Sequence, residues 1–342
     1  MLLPAPGGRG QPIFQGLGVR IFKRVDTNAC EVRDRKRACW RNRPPGDGLV
    51  IEGVIPPMLT PFTERGEVDY DAHIYNMERW NEAGLGGYLV LGSNSEAAYL
   101  SEKEKLRMIE LTVRHAPKDR IVMAGTGMES AAETILLTNK AADLGAHAAL
   151  VLTPFYYGDR MNDEALIRFF SEVANRARIP VLIYNVPKFT HINVSPRVVR
   201  DLSAHPNILG MKDSTGDVPQ LVSFLRVMEE GFNFIVGTAA AWFPALTLGI
   251  RAGIFALANC APAECVEVQE AFESGDPEKA RDTYMRIFPV NAAVTTTYGV
   301  PGLKYAADLR GYKGGFVRSP LLQLREEDKR AIRKILKEAR LL

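Results

Sequence analysis

Pro180-Val181-Leu182-Ile183-Tyr184-Asn185-Val186-Pro187 and, after one helix-length stretch, Ile208-Leu209-Gly210-Met211-Lys212-Asp213-Ser214 decide the fold. Each is a short apolar run that ends on polar, reactive side chains. Continuous apolar runs of this length, without polar alternation, read as strands buried on both faces, the habit of parallel sheets. The stretch between them, at 196–203, reads as a helix. The same unit repeats in both directions. Strands are expected at 53–57, 87–91, 120–124, 148–152, 180–184, 208–212, 234–236 and 253–256. Helices are expected at 71–83, 101–115, 131–144, 162–177, 196–203, 218–228, 240–248 and 262–274. Eight strand-then-helix units predict an α/β fold, a (β/α)8 TIM barrel that closes on itself. An open doubly wound sheet is the competing arrangement. It calls for a G-x-G-x-x-G turn, and Gly125-Thr126-Gly127 lacks the third glycine.

Helix ends carry their own signals. Ser101 with Glu104, and Ser130 with Glu133, read as capping boxes. Ser195-Pro196 places a cap before a proline that misses no amide. Gly84 and Gly145 stand where a left-handed residue ends a helix. Past residue 278 the strand alternation stops, and 276–286, 301–308 and 326–341 read as helices. The expected organisation is a flexible basic leader at 1–49, a catalytic barrel at 50–278 and a small C-terminal helical domain at 279–342.

The net charge of +3 is unevenly placed. Residues 1–50 hold ten Lys/Arg against four Asp/Glu, a surplus of six, which leaves the remainder at −3. A mildly acidic body offers no electrostatic footprint for nucleic acid. No run reaches the roughly 20 apolar residues of a membrane span. Cys30, Cys39, Cys260 and Cys265 form no C-x-x-C pair, so a reducing compartment is expected, the cytoplasm in preference to the mitochondrial matrix. The five histidines are scattered, and neither a metal nor a cofactor is expected.

In barrels of this kind chemistry collects at the carboxyl ends of the strands. Those ends here are Gly92-Ser93-Asn94-Ser95-Glu96, Thr153-Pro154-Phe155-Tyr156-Tyr157, Tyr184-Asn185-Val186-Pro187 and Gly210-Met211-Lys212-Asp213-Ser214. Lys212 tips an otherwise apolar strand. Desolvation favours the uncharged form of an amine, which can add to a ketone and form an iminium, an electron sink for C–C chemistry. A plain ion pair, with Asp213 as partner, is the alternative. Tyr184 ends the preceding strand and can shuttle protons; it also reads as a packing aromatic. Ser93 and Asn94 can hold a carboxylate in a turn, or simply cap one.

With these residues in place, the chain resembles the dihydrodipicolinate synthase and N-acetylneuraminate lyase family of pyruvate-dependent aldolases, over roughly residues 51–323. The carboxylate loop is similar, with Ser95 where the family has glycine, a substitution expected to disturb a turn that needs positive φ. The resemblance implies Lys212 as the Schiff-base lysine and Tyr184 as proton relay. It implies Ser93 in the relay, and Ser93 with Asn94 on the pyruvate carboxylate. It implies Tyr156 reaching into a neighbouring subunit's site, hence a homo-oligomer, dimer or tetramer. Ser214, Ile254 and Phe189 would meet the second half of the substrate. Biosynthetic members carry an arginine where Phe189 stands, so the fork that clamps a second carboxylate is missing.

The nearest likeness is to 4-hydroxy-2-oxoglutarate aldolases, which share Tyr156-Tyr157 with Arg160-Met161, Lys212-Asp213-Ser214, and a tail like Asn291–Thr295 with Gly299–Lys304. The expectation is therefore cleavage of a 4-hydroxy-2-oxo acid to pyruvate and an aldehyde. Condensation of pyruvate with aspartate semialdehyde, dehydration of sugar acids on the same iminium, and a non-catalytic 2-oxo-acid-binding relative are the alternatives.

Overall fold

A computed structural model describes residues 49–342 of the chain. The expected basic leader, with Cys30 and Cys39, lies outside the described residues, Leu49 excepted. Eight parallel strands run in order: β1 (Gly53–Ile55), β2 (Gly87–Val90), β3 (Ile121–Gly125), β4 (Ala148–Leu152), β5 (Val181–Asn185), β6 (Ile208–Asp213), β7 (Asn233–Val236) and β8 (Ala252–Ile254). Each is followed by a helix: α1 (Tyr70–Asn81), α2 (Glu102–His115), α3 (Ala131–Asp143), α4 (Asp163–Arg176), α5 (Pro196–Ser203), α6 (Val218–Leu225), α7 (Trp242–Thr247) and α8 (Pro262–Glu273). β8 pairs with β1 in parallel, and every strand from β2 to β8 pairs with its sequence neighbour. The β1–β2 seam is bridged by Gly86 N–H to Val54 O at 2.9 Å and Met58 N–H to Leu89 O at 2.9 Å, which closes the ring. Glycine is needed at that seam: a Cβ on Gly86 would sit 2.1 Å from Glu52 O. This is the (β/α)8 barrel, not the open sheet.

Two apolar layers follow from the strand alternation. Ile55, Leu89, Met123, Leu150, Leu182, Ile235 and Ile254 fill the barrel. Val54, Val90, Ala124, Val151, Ile183 and Met211 face the surrounding helices. Ser101 makes the full capping box with Glu104. Ser130 accepts from Glu133 N–H, but the reciprocal bond is not made, so only half of the second expected box forms. Gly84 and Gly145 take φ of 69° and 92°, as helix ends require.

Three further helices follow: α9 (Pro277–Ala292), α10 (Gly299–Leu309) and α11 (Glu326–Glu338). The first runs beyond the expected 286 and through Pro289, because its buried face continues from Ala280 and Thr283 to Ile287 and Val290. A π-turn, Ala293–Thr297, joins it to α10. Among the described residues, no helix is long and apolar enough to cross a membrane.

The segment after α10 is locked to the β2 end of the barrel by charge. Lys304 on α10 meets Glu96 at 2.6 Å, with side chains only 2% and 1% exposed. Its ammonium also donates to Phe316 O at 2.5 Å and lies 4.5 Å from the Phe62 ring centre. Burial pulls Lys304 down to about 8, against the upward pull of Glu96. Arg318 adds its backbone N–H to Glu96 Oε2 at 2.9 Å and a two-pronged contact to Glu104 at 2.7 and 2.9 Å. That guanidinium holds the Glu104 carboxyl down to about 2 from an ordinary 4.5.

Breaking a buried pair from one side strands a charge. Lys304→Met should therefore cost about 3–5 kcal/mol in chemical denaturation, and adding Glu96→Leu should recover part of it. A loss no larger than that of a surface pair would count against the lock. Glu104 gives a pH signature. Its folded value is depressed, so its contribution is complete above about 4.5 and lost as pH falls towards about 2. Glu104→Gln should lower the urea midpoint at pH 6 and have far less effect near pH 2; an equal effect at both would contradict the assignment.

Candidate active site

β5 and β6 pair Tyr184 with Lys212 and Asn185 with Asp213. On β5 the alternation is regular: Val181 and Ile183 face the helices, Leu182 and Tyr184 the barrel interior. On β6 it is broken once. Val181 pairs with Ile208, but Leu182 pairs with Gly210, so Leu209 is an extra residue against a single step of β5. Ile208 and Met211 both face the helices while Leu209 packs inward. Strict alternation from Ile208 would turn Lys212 outward as well. The bulge reverses the parity and aims it into the barrel.

There Lys212 is 3% exposed, with Nζ 4.2 Å from the centre of the Tyr184 ring. The expected alternative, a pair with Asp213, is not formed. Asp213 faces the helix layer, where Oδ1 accepts from Asn185 Nδ2 at 2.7 Å and Gln220 Nε2 at 3.2 Å. Its Oδ2 accepts from the Thr215 hydroxyl at 2.5 Å. Burial raises the Asp213 carboxyl, opposed by these bonds. Neutral donors thus satisfy the one carboxylate next to Lys212 in sequence, and the amine is left facing the phenol.

Ser93 enters from the turn after β2, Ser93–Ser95, with its hydroxyl 3.4 Å from the Tyr184 hydroxyl. Asn94 is half-buried beside it. Ser95 does not distort this turn. The positive φ falls on Glu96, at 52°, and Ser95 is buried with its hydroxyl donating to Met58 O at 2.5 Å. The expected strain is absent because this backbone needs no left-handed residue at position 95. Ser214 completes the group: its N–H donates to Asn185 O at 3.0 Å, and its hydroxyl donates to Gly237 O at 3.5 Å. Burial alone would raise the Tyr184 phenol. The Lys212 charge, with hydrogen bonds from Ser93, Ser214 and Lys212, outweighs it and lowers the value instead.

Ile254 lies fully buried at the end of β8, in the cluster that contains Tyr184. Phe189 stands on the short helix Pro187–Thr190, 53% exposed. Its neighbour Lys188 is engaged, donating to Thr295 O at 2.9 Å. Tyr156 is not brought to Lys212 within this chain. It is 74% exposed, edge-on to Tyr157, on a loop held by Phe155 and Tyr156 N–H bonds to Glu129. Sequence reasoning passed over two features. One is the Asn185-Asp213-Thr215-Gln220 network, whose Asp-x-Thr spacing is a side-chain-to-backbone turn signal. The other is Thr153 at the end of β4, a fully buried hydroxyl without a partner; nothing in a lone threonine marks it.

The arrangement is a buried primary amine, a phenol of lowered value and two hydroxyls at the carboxyl ends of β2, β5 and β6. It can add an amine to a carbonyl and move the accompanying protons over short distances.

The chain is similar to known proteins along most of its length. The sequence model described as the dihydrodipicolinate synthetase family matches residues 50–339. The 4-hydroxy-tetrahydrodipicolinate synthase of Thermodesulfovibrio yellowstonii is 32% identical over 293 residues, covering 86% of this chain and all of that protein. The enzyme of that name from Methanothrix thermoacetophila is 34% identical over 289 residues, covering 84% and 96%. Among solved structures, the chloride-inhibited dihydrodipicolinate synthase of Acinetobacter baumannii, complexed with pyruvate, superposes with a TM-score of 0.81 at 31% identity, covering 86% of this chain and all of that one. These relatives carry the synthase name. They lend no support to the 4-hydroxy-2-oxoglutarate cleavage expected from the sequence, and they favour its alternative.

The Tyr184 environment is testable without a substrate. Lys212→Ala removes the positive charge and leaves burial unopposed, so the phenol should titrate higher than in the parent. Ultraviolet difference titration, with Tyr184→Phe to assign the signal, reads this directly. An unchanged phenol would mean that Lys212 does not govern it.

Proposed function

The chain belongs to the dihydrodipicolinate synthetase family, and on that premise we propose that Lys212 forms a Schiff base with the ketone of pyruvate, as a class I aldolase-type lyase or synthase. The observation that carries the reading is the inward, carboxylate-free placement of Lys212 over Tyr184. The free amine adds to C2 of the ketone, and the carbinolamine loses water to give an iminium. A proton leaves C3, and the resulting enamine attacks an aldehyde through that carbon. Hydrolysis then frees the lysine. Cleavage runs the same steps in reverse. Tyr184 and Ser93 relay the protons, and Ser93 with Asn94 holds the pyruvate carboxylate in the turn after β2. No metal or cofactor enters the scheme. Exposed Tyr156 fits a contact with a second copy of the chain, in a homo-oligomer.

The relatives' names support aspartate semialdehyde as the aldehyde, and hence condensation. One observation favours a second reading, cleavage of a 4-hydroxy-2-oxo acid. Exposed Phe189 presents no guanidinium to a second carboxylate, and Lys188 is already spent on Thr295 O. In that reading Ser214 is the polar group assigned to that half of the substrate.

Borohydride trapping with pyruvate should leave a reduced pyruvyl adduct on Lys212, absent in Lys212→Ala; no adduct on the parent would overturn the Schiff-base reading. Tyr184→Phe should slow turnover by about 10²–10⁴-fold with the adduct still forming. Turnover of pyruvate with aspartate semialdehyde, compared with 4-hydroxy-2-oxoglutarate, sugar acids and N-acetylneuraminate, then separates the readings. A Phe189→Arg variant that gains only on aspartate semialdehyde would identify that residue as the selector.

A further inference from the structure

The bulge that turns Lys212 inward needs its own support, because an extra residue leaves a carbonyl outside the strand ladder. That support comes from the far end of β7. Asn233, half-buried opposite Gly210, uses its side-chain amide completely. Nδ2 donates to Leu209 O at 2.9 Å and to Leu49 O at 2.9 Å, while Oδ1 accepts from Ile51 N–H at 2.7 Å. Leu209 is the inserted residue itself. Gly210 is pressed against the same asparagine: a Cβ there would lie 2.2 Å from Asn233 O and 2.8 Å from Asn233 Cβ. One side chain thus ties the bulge to the segment that enters the barrel at Leu49–Ile51.

We propose that Asn233 is a positioning residue for Lys212, holding the Leu209 bulge whose extra residue sets the direction in which the lysine points. Asn233 touches no reacting atom. It lies at the amino end of β7, two residues before the Ile235 that pairs with Lys212, and acts through strand parity. A slip that removes the bulge restores plain alternation, and the amine then turns towards the helices. The inference rests on the proposed role of Lys212 for its effect on activity, but not for its effect on geometry.

The test uses the full chain with Asn233→Asp, which keeps the acceptor for Ile51 and removes both donations, and Asn233→Ser as a smaller perturbation should the first fail to fold. Ile51→Ala is the control, since it loosens the same entry segment and leaves Leu209 O bonded. Trapping by pyruvate and borohydride, at a temperature where circular dichroism shows all variants folded, should slow on the order of tenfold to a hundredfold in the Asn233 variants, with little change in the pyruvate concentration for half-maximal trapping. Ile51→Ala should trap at the parental rate. Asn233→Gln, which restores an amide, should recover part of the rate. Equal losses in Ile51→Ala and the Asn233 variants would reduce Asn233 to a stability element and overturn the proposal. A crystal structure of the Asn233 variant decides the geometry whatever the activity. Lys212 displaced from the Tyr184 ring supports the proposal, and Lys212 unmoved overturns it. If the parent chain traps no pyruvate, the Schiff-base reading falls alone, and the position of Lys212 in the variant crystal still tests the role of Asn233.

Discussion

A closed barrel leaves each strand residue only two directions, into the lumen or out towards the helices, and everything reactive here depends on which one it takes. Closure through the β1–β2 seam removes the sheet edge, so no strand can drift in register without disturbing its neighbours. Within that frame Tyr184 faces inward by simple alternation, whereas Lys212 does so only because Leu209 is doubled against β5. The two side chains therefore owe their meeting to different causes, one to period and one to its interruption.

The mouth is shaped by charge as much as by packing. Buried ion pairs are weak devices for stability, since desolvation takes back most of the attraction, but they are strict about geometry. Glu96 sits in a left-handed conformation immediately after the Ser93–Ser95 turn, and Lys304 on α10 and the backbone of Arg318, in the segment after α10, hold it there. The turn that presents Ser93 to Tyr184 is thus anchored at its far end by Glu96. Ser95 fits beside it because its hydroxyl finds Met58 O, so a side chain at this position leaves the backbone undisturbed.

Much of this was legible in the sequence. Strand–helix alternation, caps such as Ser101 with Glu104, and glycines at 84 and 145 are local signals with local causes, and the elements they mark lie close to where they were expected. Lys212, Tyr184 and Ser93 each read two ways from position alone, as reactive groups or as an ion pair, a packing aromatic and a turn cap, and only their motifs taken together single them out. What stayed hidden depends on pairing. Nothing in Ile208-Leu209-Gly210-Met211 announces a bulge, because four residues that suit either layer carry no parity. The partner of Asp213 could not be told from its place beside Lys212, since neighbours on a strand face opposite sides. The expected end of the first C-terminal helix at 286 falls short of Ala292, because a buried face carries α9 on through Pro289.

The Glu96–Arg318 contact spans 222 residues of chain. Synthesis proceeds from the amino end, so the carboxylate at the barrel mouth is made early and its partners late. A nascent chain halted within the barrel holds Glu96 without Lys304 or Arg318, and a lone carboxylate resists burial. The turn bearing Ser93 therefore settles only when the last helices arrive. The order of synthesis thus ties the anchoring of that turn to the arrival of α10 and of the segment that carries Arg318.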